Sequence, residues 1–206
     1  MIRANHNKFV VKFSNLYTRI LVGFFFGDLK YMGHYEDKGL PILMISNHFS
    51  FYDGFIQILL NLKVFKRRFN FMMLEKELRK NMILTKIGAC SISKGKRSSI
   101  ESLEYSVELL ANKENLFLFF PQGKIKSIYT REFKFEKGLL SYILENSKNE
   151  FQLVFNLNLI KYGTKLKPDI YLYYETQKIT ADTDAEEIEQ AFNRFAKACF
   201  TKQGAK

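Results

Sequence analysis

The sequence predicts an α/β fold: a single layered domain with a mostly parallel mixed sheet flanked by helices, preceded by an N-terminal amphipathic helix. The chain has 206 residues, a length that suits one domain. Short apolar runs alternate with segments of helical periodicity, the order that is typical of parallel α/β sheets. Apolar residues make up 47% of the chain, which excludes disorder for most of it. The predicted division is a helix within residues 1–29 and a layered domain at 30–206.

The first element is a helix predicted within residues 5–29. Its apolar residues recur every three or four positions: Phe9, Phe13, Leu16, Ile20 and Phe24. A parallel polar row consists of Lys8, Lys12, Asn15 and Arg19. Such a helix either lies in the headgroup plane of an anionic membrane or covers the core of its own domain. The sequence favours neither alternative.

The elements that follow alternate between strands and helices. The predicted strands are 42–46, 70–74, 90–93, 116–120, 151–159 and 170–174. One helix carries an apolar stripe that includes Leu103 and Val107, and Ser98 and Glu101 form a capping box at its start. The last helix is predicted to begin at a second capping box, Thr183 with Glu186.

Composition restricts the possible functions. The formal charge of +11 favours an anionic partner, and nucleic acid, anionic lipid and a phosphorylated carrier satisfy it equally well. The two cysteines form no CxxC motif, as expected for a protein facing the cytosol. The three histidines lack metal-ligand spacing, so we predict no metal site. The longest apolar run near the start, residues 20–26, is shorter than the roughly 20 residues of a spanning helix.

Ligands of open α/β sheets bind at the carboxyl ends of strands, and the first such end carries a histidine and an acid. His48 follows the strand 42–46, and Asp53 comes five residues later. Asp53 can accept a hydrogen bond from one imidazole nitrogen and leave the other facing a substrate. Alternatively, Ser50 and Asp53 form a capping box at a helix start. Both interpretations stay open on these residues alone, although the capping box is favoured.

Two further strand ends are cationic. The strand at 90–93 runs into a loop with Lys94 and Arg97, where an anion can bind at the start of a helix. The strand at 116–120 ends at Phe120-Pro121-Gln122-Gly123, followed by Lys124 and Lys126. Glycine there permits close approach of a ligand, whereas the alternative is an ordinary Pro-Gly turn.

The combination and order of these motifs resemble the glycerolipid and lysophospholipid acyltransferase family. The matching blocks are Asn47-His48 with Asp53, Gly88 to Lys94, Phe120-Pro121-Gln122-Gly123 and Phe135-Glu136-Lys137-Gly138. The resemblance covers about residues 30–165. Its most specific parts are the HxxxxD block and the Phe-Pro-x-Gly block.

The resemblance implies a membrane-associated enzyme that moves a fatty acyl group from an acyl-carrier-protein or coenzyme A thioester to a lipid hydroxyl. It implies that His48 is the general base and that Asp53 orients it. The expected substrate-binding residues are Asn47, Ser50, Lys94, Arg97, Phe120, Pro121, Gln122, Gly123, Lys124 and Lys126. We expect no bound cofactor beyond the acyl-ACP or acyl-CoA co-substrate, no nucleic acid partner, and a location on the cytoplasmic face of the cell membrane.

The third block departs from the family pattern Phe-Pro-Glu-Gly-Thr-Arg-Ser. Gln122 replaces the glutamate and Ile125 replaces the arginine, while Lys124 and Lys126 replace the threonine and serine. The acceptor therefore stays open between lysophosphatidate and another lipid alcohol. Two alternative functions also stay open: a non-catalytic basic module that binds a membrane surface or nucleic acid, and a thioester or ester hydrolase that uses the same two residues.

Overall fold

The computed structural model describes residues 1–92, 96–180 and 182–204, and it describes no side chains for residues 96–98. Its centre is a seven-stranded sheet in the order β1-β7-β6-β2-β5-β3-β4. The strands are β1 (Leu29–His34), β2 (Ile42–Ser46), β3 (Arg68–Leu74), β4 (Ala89–Ile92), β5 (Asn115–Phe119), β6 (Gln152–Lys161) and β7 (Asp169–Gln177). All neighbouring strands are parallel except β6 and β7, which are antiparallel.

Helices cover both faces of this sheet. They are α1 (Lys8–Phe25), α2 (Asp53–Leu60), α3 (Glu75–Lys80), α4 (Lys96–Leu109), α5 (Lys137–Asn146) and α6 (Ala185–Gly204). A π-helical turn, Asn61–Phe65, continues α2, and a 3-10 helix spans Met82–Ile87. One apolar cluster joins the sheet to α4, α5 and α6, and a second joins the opposite face to α1 and α2.

Strand β2 determines where the candidate site lies. It pairs with β6 on one side and β5 on the other, and all five of its residues are buried. A continuous apolar run is expected for a parallel strand with helices on both faces. The strand therefore carries the chain from the core to the carboxyl edge of the sheet, where His48 follows.

The predicted fold class is confirmed, and most predicted strands are present within one to three residues of their expected ends. Strand β1 was not predicted, because Leu29–His34 mixes apolar, charged and glycine residues at a partly exposed edge. Helix α1 lies within the predicted segment 5–29 and begins at Lys8, because the Asn7 side chain accepts hydrogen bonds from the first-turn amides of Phe9 and Val10.

Two predicted helix starts were wrong. Helix α6 begins at Ala185, and the Asp184 carboxylate, not the Thr183 hydroxyl, accepts the first-turn hydrogen bond, from the Glu187 amide at 2.8 Å. Helix α4 already begins at Lys96, ahead of the predicted cap at Ser98, whose side chain lies outside the described part of the chain.

Helix α1 presents its apolar stripe to solvent. Its buried residues are Thr18 and Val22, which face the body of the domain. Each residue of the predicted stripe is more than half exposed, and Phe9 reaches 86%. None of the helices described by the structure is both long enough and apolar enough to cross a bilayer.

Candidate active site

His48 and Asp53 meet at the carboxyl end of β2. His48 lies two residues beyond the strand, and Asp53 is the first residue of α2. The imidazole Nδ1 lies 2.8 Å from Asp53 Oδ2. The His48 side chain is 24% exposed, whereas that of Asp53 is fully buried. A carboxylate only accepts hydrogen bonds, so this contact assigns the Nδ1 proton to the imidazole and leaves Nε2 as the exposed acceptor.

The same carboxylate oxygen also holds the turn between His48 and α2. Asp53 Oδ2 accepts hydrogen bonds from the Phe49 amide at 2.7 Å and the Ser50 amide at 2.9 Å. The Ser50 amide makes one bond of the predicted capping box, but the Ser50 hydroxyl accepts from the Tyr52 amide at 3.0 Å instead of from the Asp53 amide, and α2 begins at Asp53 without a side-chain cap. One oxygen therefore bonds both the imidazole and the turn before the helix, whereas the predicted capping box is only half formed.

Burial raises the pKa of the Asp53 carboxyl above its ordinary value. Hydrogen bonds from His48, Ser50 and Phe49 act in the opposite direction, because they stabilise the charged form. The second oxygen, Oδ1, is buried and has no hydrogen-bond partner among the described residues. All of the stabilising contacts are thus concentrated on Oδ2, the oxygen that faces the imidazole.

The loop after β5 encloses His48 from the other side. The Phe120 ring stacks on the imidazole, with centroids 4.4 Å apart and planes 18° apart. The side-chain oxygen of Gln122 accepts a hydrogen bond from the His48 amide at 2.7 Å. The Lys126 amide donates to the His48 carbonyl at 2.9 Å. The Phe-Pro-Gln-Gly segment therefore packs against His48 and bonds its backbone.

Gly123 makes the turn of this loop possible. Its φ is +66°, a left-handed conformation that glycine adopts readily. A Cβ atom at this position would lie 2.3 Å from the Glu136 carboxyl carbon, so glycine also permits the close approach of that side chain. The Glu136 amide donates to the Pro121 carbonyl at 2.7 Å, which joins the third and fourth sequence blocks.

A buried polar network fixes α2 beneath the site. The Ser46 hydroxyl bonds Asn156 Oδ1 at 2.8 Å, and the Gln57 amide nitrogen bonds the Ser46 hydroxyl at 2.9 Å. Gln57 lies one helical turn after Asp53, so the network holds the turn that carries the acid. No sequence motif indicates a role for Gln57 or Asn156, although polar residues within apolar segments are a signal of such networks.

Asn47 connects the site to the next strand. Its side chain donates to the Asn158 carbonyl at 3.0 Å and accepts from the Asn158 amide at 2.8 Å. This pair of bonds ties the residue before His48 to β6. Asn47 therefore holds the backbone at the site and directs its own side chain away from solvent.

The predicted cationic residues that the structure describes in full, Lys124 and Lys126, make no side-chain hydrogen bond to His48. Lys124 and Lys126 are exposed, and of these two only Lys126 bonds His48, through its backbone amide. Lys94 and the Arg97 side chain lie outside the described residues. The contacts around His48 are thus made by Asp53, Phe120, Gln122 and the Lys126 backbone.

Comparison with known protein families gives a match over this region of the chain. The family model described as Acyltransferase matches residues 29–154, which is more than half of the chain and includes β1, β2, the HxxxxD turn and the Phe-Pro-Gln-Gly loop. The comparison with curated proteins found no match. The match extends over the elements that position His48 and Asp53, and the chain is therefore a member of the acyltransferase family.

Proposed function

We propose that this acyltransferase moves a fatty acyl group from an acyl-carrier-protein or coenzyme A thioester to a lipid hydroxyl, with His48 as general base and Asp53 as its orienting partner. The observation that carries the proposal is the 2.8 Å contact between His48 Nδ1 and Asp53 Oδ2 at the carboxyl edge of the sheet. The contact leaves Nε2 with no hydrogen-bond partner among the described residues, on a side chain that solvent reaches.

The proposed reaction needs no covalent enzyme intermediate. Nε2 takes the proton of the acceptor hydroxyl while its oxygen attacks the thioester carbonyl, and Asp53 stabilises the imidazolium that forms. When the tetrahedral intermediate collapses, the carbon–sulfur bond breaks and the imidazolium returns its proton to the departing thiolate. A positioned base of this kind accelerates such a step by about 10²–10⁴-fold.

The oxyanion of that intermediate needs hydrogen-bond donors. The amides of Phe49 and Ser50 already donate to Asp53, and the amide of His48 already donates to Gln122. The Lys126 amide is likewise occupied, because it donates to the His48 carbonyl. We therefore propose that the oxyanion donors are the backbone amides between Gly123 and Lys126, in the turn that this bond holds beside His48.

The experiment that tests this function offers acyl-ACP and acyl-CoA separately to the purified protein with a total lipid extract. Mass spectrometry then identifies which lipid gains an acyl chain. We expect an ester product from one donor class that is absent with His48→Ala. Release of free fatty acid without an acylated lipid would instead indicate a hydrolase, and no turnover with either donor would indicate a non-catalytic module.

We also propose that α1 holds the enzyme on an anionic membrane surface, at the cytoplasmic face of the cell membrane. The exposed apolar stripe lies beside basic residues such as Lys12 and Arg19, the pattern of an interfacial helix. At its carboxyl end, Phe25 packs against Tyr52, which directly precedes Asp53. A lipid surface that covers α1 would therefore lie next to the turn of the candidate site.

Replacing Phe13 and Ile20 together with serine is expected to weaken binding to vesicles of phosphatidylglycerol and phosphatidylethanolamine. Both side chains are largely exposed, so their loss leaves the core unchanged. Each apolar side chain contributes about 1.5–3 kcal/mol on burial, and the pair therefore changes partitioning by about 10²-fold or more. Co-sedimentation measures the effect.

The matched control is Ile100→Ser, an exposed apolar residue on α4, which packs on the opposite face of the sheet. We expect this variant to sediment like the unmodified protein. If the Phe13 and Ile20 variant sediments equally well, α1 is not the membrane contact.

Gln122→Leu is expected to reduce both stability and turnover. Gln122 is only 4% exposed, and the substitution leaves the His48 amide without its acceptor. Loss of a buried acceptor costs about 1–3 kcal/mol, measurable by denaturant unfolding. Gln122→Glu keeps an acceptor oxygen and is expected to retain turnover within several-fold. Equal kcat for Gln122→Leu and the unmodified protein would show that this bond does not position His48.

A further inference from the structure

A cavity of about 250 Å³ lies between α1, the edge strand β1, and the end of α2 with the π-helical turn that follows it. We call it the α1–β1 cavity. Helix α2 begins at Asp53 in the candidate active site, and the residues of α2 and its π-helical turn that line the cavity come from the other end, at Leu59, Leu62 and Lys63. None of the described lining residues belongs to the candidate active site, so the cavity is a separate feature of the molecule.

Two cations and a phenol line the α1–β1 cavity. Neither Arg19 nor Lys63 forms a salt bridge with a described residue, and none of the described lining residues is acidic. Burial raises the pKa of the Tyr31 hydroxyl, whereas the positive charge of Arg19 lowers it, so the guanidinium lies near the phenol. The Tyr31 hydroxyl bonds none of the described residues. These three donors suit an anion with several acceptor oxygens, such as a phosphate group.

The rest of the cavity lining is largely apolar. Val22 is fully buried, and three partly buried leucines belong to the same apolar cluster: Leu29, Leu59 and Leu62. A free phosphate ion would contact the cations and leave this apolar surface uncovered. An amphiphile, whose anionic group is joined to hydrocarbon, matches both parts of the lining.

The α1–β1 cavity opens beside the exposed apolar stripe of α1. Gly23 lines the cavity one helical turn after Arg19, and a Cβ atom at Gly23 would meet no heavy atom within 4 Å. Packing therefore does not require glycine here, and its missing side chain leaves the cavity open at this position. Ile20 of the stripe precedes Gly23 by three residues, a spacing that makes the two neighbours on the helix surface.

We propose that the α1–β1 cavity binds the phosphate group of an anionic membrane phospholipid that is not a substrate of the enzyme; this rests on the proposed attachment of α1 to an anionic membrane. Arg19 and Lys63 pair with the phosphate, and the Tyr31 hydroxyl donates to one of its oxygens. The leucines contact the glycerol backbone and the first carbons of an acyl chain. The bound lipid thereby joins α1 to β1 and to the end of α2.

The volume of the cavity favours a lipid that is only partly enclosed. Pockets that enclose a whole small molecule measure about 300–1,000 Å³. At about 250 Å³, the cavity accommodates a phosphate with its adjoining glycerol and leaves the acyl chains outside, on the side where the stripe of α1 is exposed. A phospholipid that stays in the bilayer meets this condition, because its chains remain among other lipids while its phosphate lies in the headgroup plane.

Binding is tested in solution, without a membrane and without acyl donor. Dihexanoyl phosphatidylglycerol and dihexanoyl phosphatidylcholine, both below their micelle concentrations, and inorganic phosphate are titrated separately into the full chain by calorimetry. We expect the phosphatidylglycerol to bind saturably at one site, about ten-fold or more tightly than either the phosphatidylcholine or inorganic phosphate.

Arg19→Gln and Lys63→Gln should each weaken phosphatidylglycerol binding about ten-fold, because each removes one charge-assisted contact. Both residues are exposed, so the fold should be retained. The matched control is Lys12→Gln, which removes the same charge from the polar row of α1 at an exposed position outside the cavity. This control should bind the soluble lipid like the unmodified protein.

Equal losses in Arg19→Gln and Lys12→Gln would show a diffuse charge effect and overturn the proposal. Binding without saturation, or equal affinity for phosphatidylglycerol and either of the other two probes, would overturn it as well.

The soluble-lipid titration and the vesicle sedimentation of the Phe13 and Ile20 variant separate the cavity from the attachment of α1. Site-specific lipid binding together with unchanged sedimentation of that variant would contradict membrane attachment through the stripe and leave the cavity standing. No binding of the soluble lipid together with reduced sedimentation of that variant would do the reverse.

Discussion

His48→Ala is expected to lower kcat for acyl transfer by about 10²–10⁴-fold, because the substitution removes the group that takes the hydroxyl proton. Folding should be retained, since the imidazole is partly exposed. The turn is also held by the hydrogen bonds from the Phe49 and Ser50 amides to Asp53. Turnover is measured with a saturating thioester donor and the acceptor that the lipid-extract experiment identifies. Vesicle binding is measured in parallel and should not change.

The control for this prediction is His34→Ala. His34 is exposed at the end of β1. Its substitution removes the same kind of side chain from a different edge of the sheet. It should leave kcat unchanged. If His48→Ala retains turnover within a few-fold of the unmodified protein, His48 is not the base, and the acceptor is deprotonated by another group.

Two substitutions of Asp53 are expected to have different effects, because one oxygen accepts all three of its hydrogen bonds. Asparagine can keep an oxygen at the position of Oδ2 and place its NH₂ group at the position of Oδ1, which has no partner among the described residues. Asp53→Asn therefore preserves the orientation of the imidazole and loses the negative charge that stabilises the imidazolium. We expect kcat to fall by about 10²-fold with little loss of stability.

Asp53→Ala removes the acceptor altogether. The Nδ1 proton of His48 and the amides of Phe49 and Ser50 lose their common partner, and each unsatisfied buried donor costs about 1–3 kcal/mol. We expect kcat to fall as far as in His48→Ala, together with a clear decrease in the free energy of unfolding. The matched control is Asp182→Asn, an exposed acid far along the chain in the segment before α6.

Equal loss of kcat in Asp53→Asn and Asp53→Ala would show that charge alone matters and that orientation contributes little. Full activity in Asp53→Ala would contradict the role of Asp53 as a positioning residue. The comparison between the two variants separates these possibilities, provided that denaturant unfolding confirms a folded protein in both.

The central sheet could be predicted from the sequence because its strands are buried on both faces. Ile42–Ser46 reads as a continuous apolar run with clear ends, and the predicted bounds of β2 match the structure. Strand β1 could not be predicted in the same way. Its pairing with β7 is a contact between distant parts of the chain, and its residues are only partly buried.

The contact between His48 and Asp53 was one of two interpretations of their spacing, because both residues lie within one turn, and the resemblance to the acyltransferase family favoured it over the capping box. The hydrogen bond from the His48 amide to the Gln122 side chain joins residues that follow different strands, and no local pattern specifies it. The third sequence block identified Gln122 as a candidate site residue. That its side chain accepts a hydrogen bond from the His48 backbone became clear only from the arrangement of β2 beside β5.

Helix α1 shows where amphipathic periodicity is ambiguous. The spacing of Phe9, Phe13 and Ile20 predicts an apolar stripe but not what covers it. The structure buries the opposite side, around Thr18 and Val22, and leaves the stripe exposed. Which face of an amphipathic helix packs against its own domain depends on the shape of the surface beneath it, and this information is absent from the helix's own residues.

The tautomer of His48 tests the central claim most directly. Long-range ¹H–¹⁵N correlation spectra of the ¹⁵N-labelled protein, recorded where the ring is neutral, show which ring nitrogen carries the proton. The three histidines are told apart by the loss of one set of signals in His48→Ala. The account predicts a protonated Nδ1 and a free Nε2, in the unmodified protein and in Asp53→Asn. A proton on Nε2 in the unmodified protein would contradict it, because the ring's lone pair would then be on Nδ1, facing Asp53, and Nε2 would have none to offer the acceptor hydroxyl.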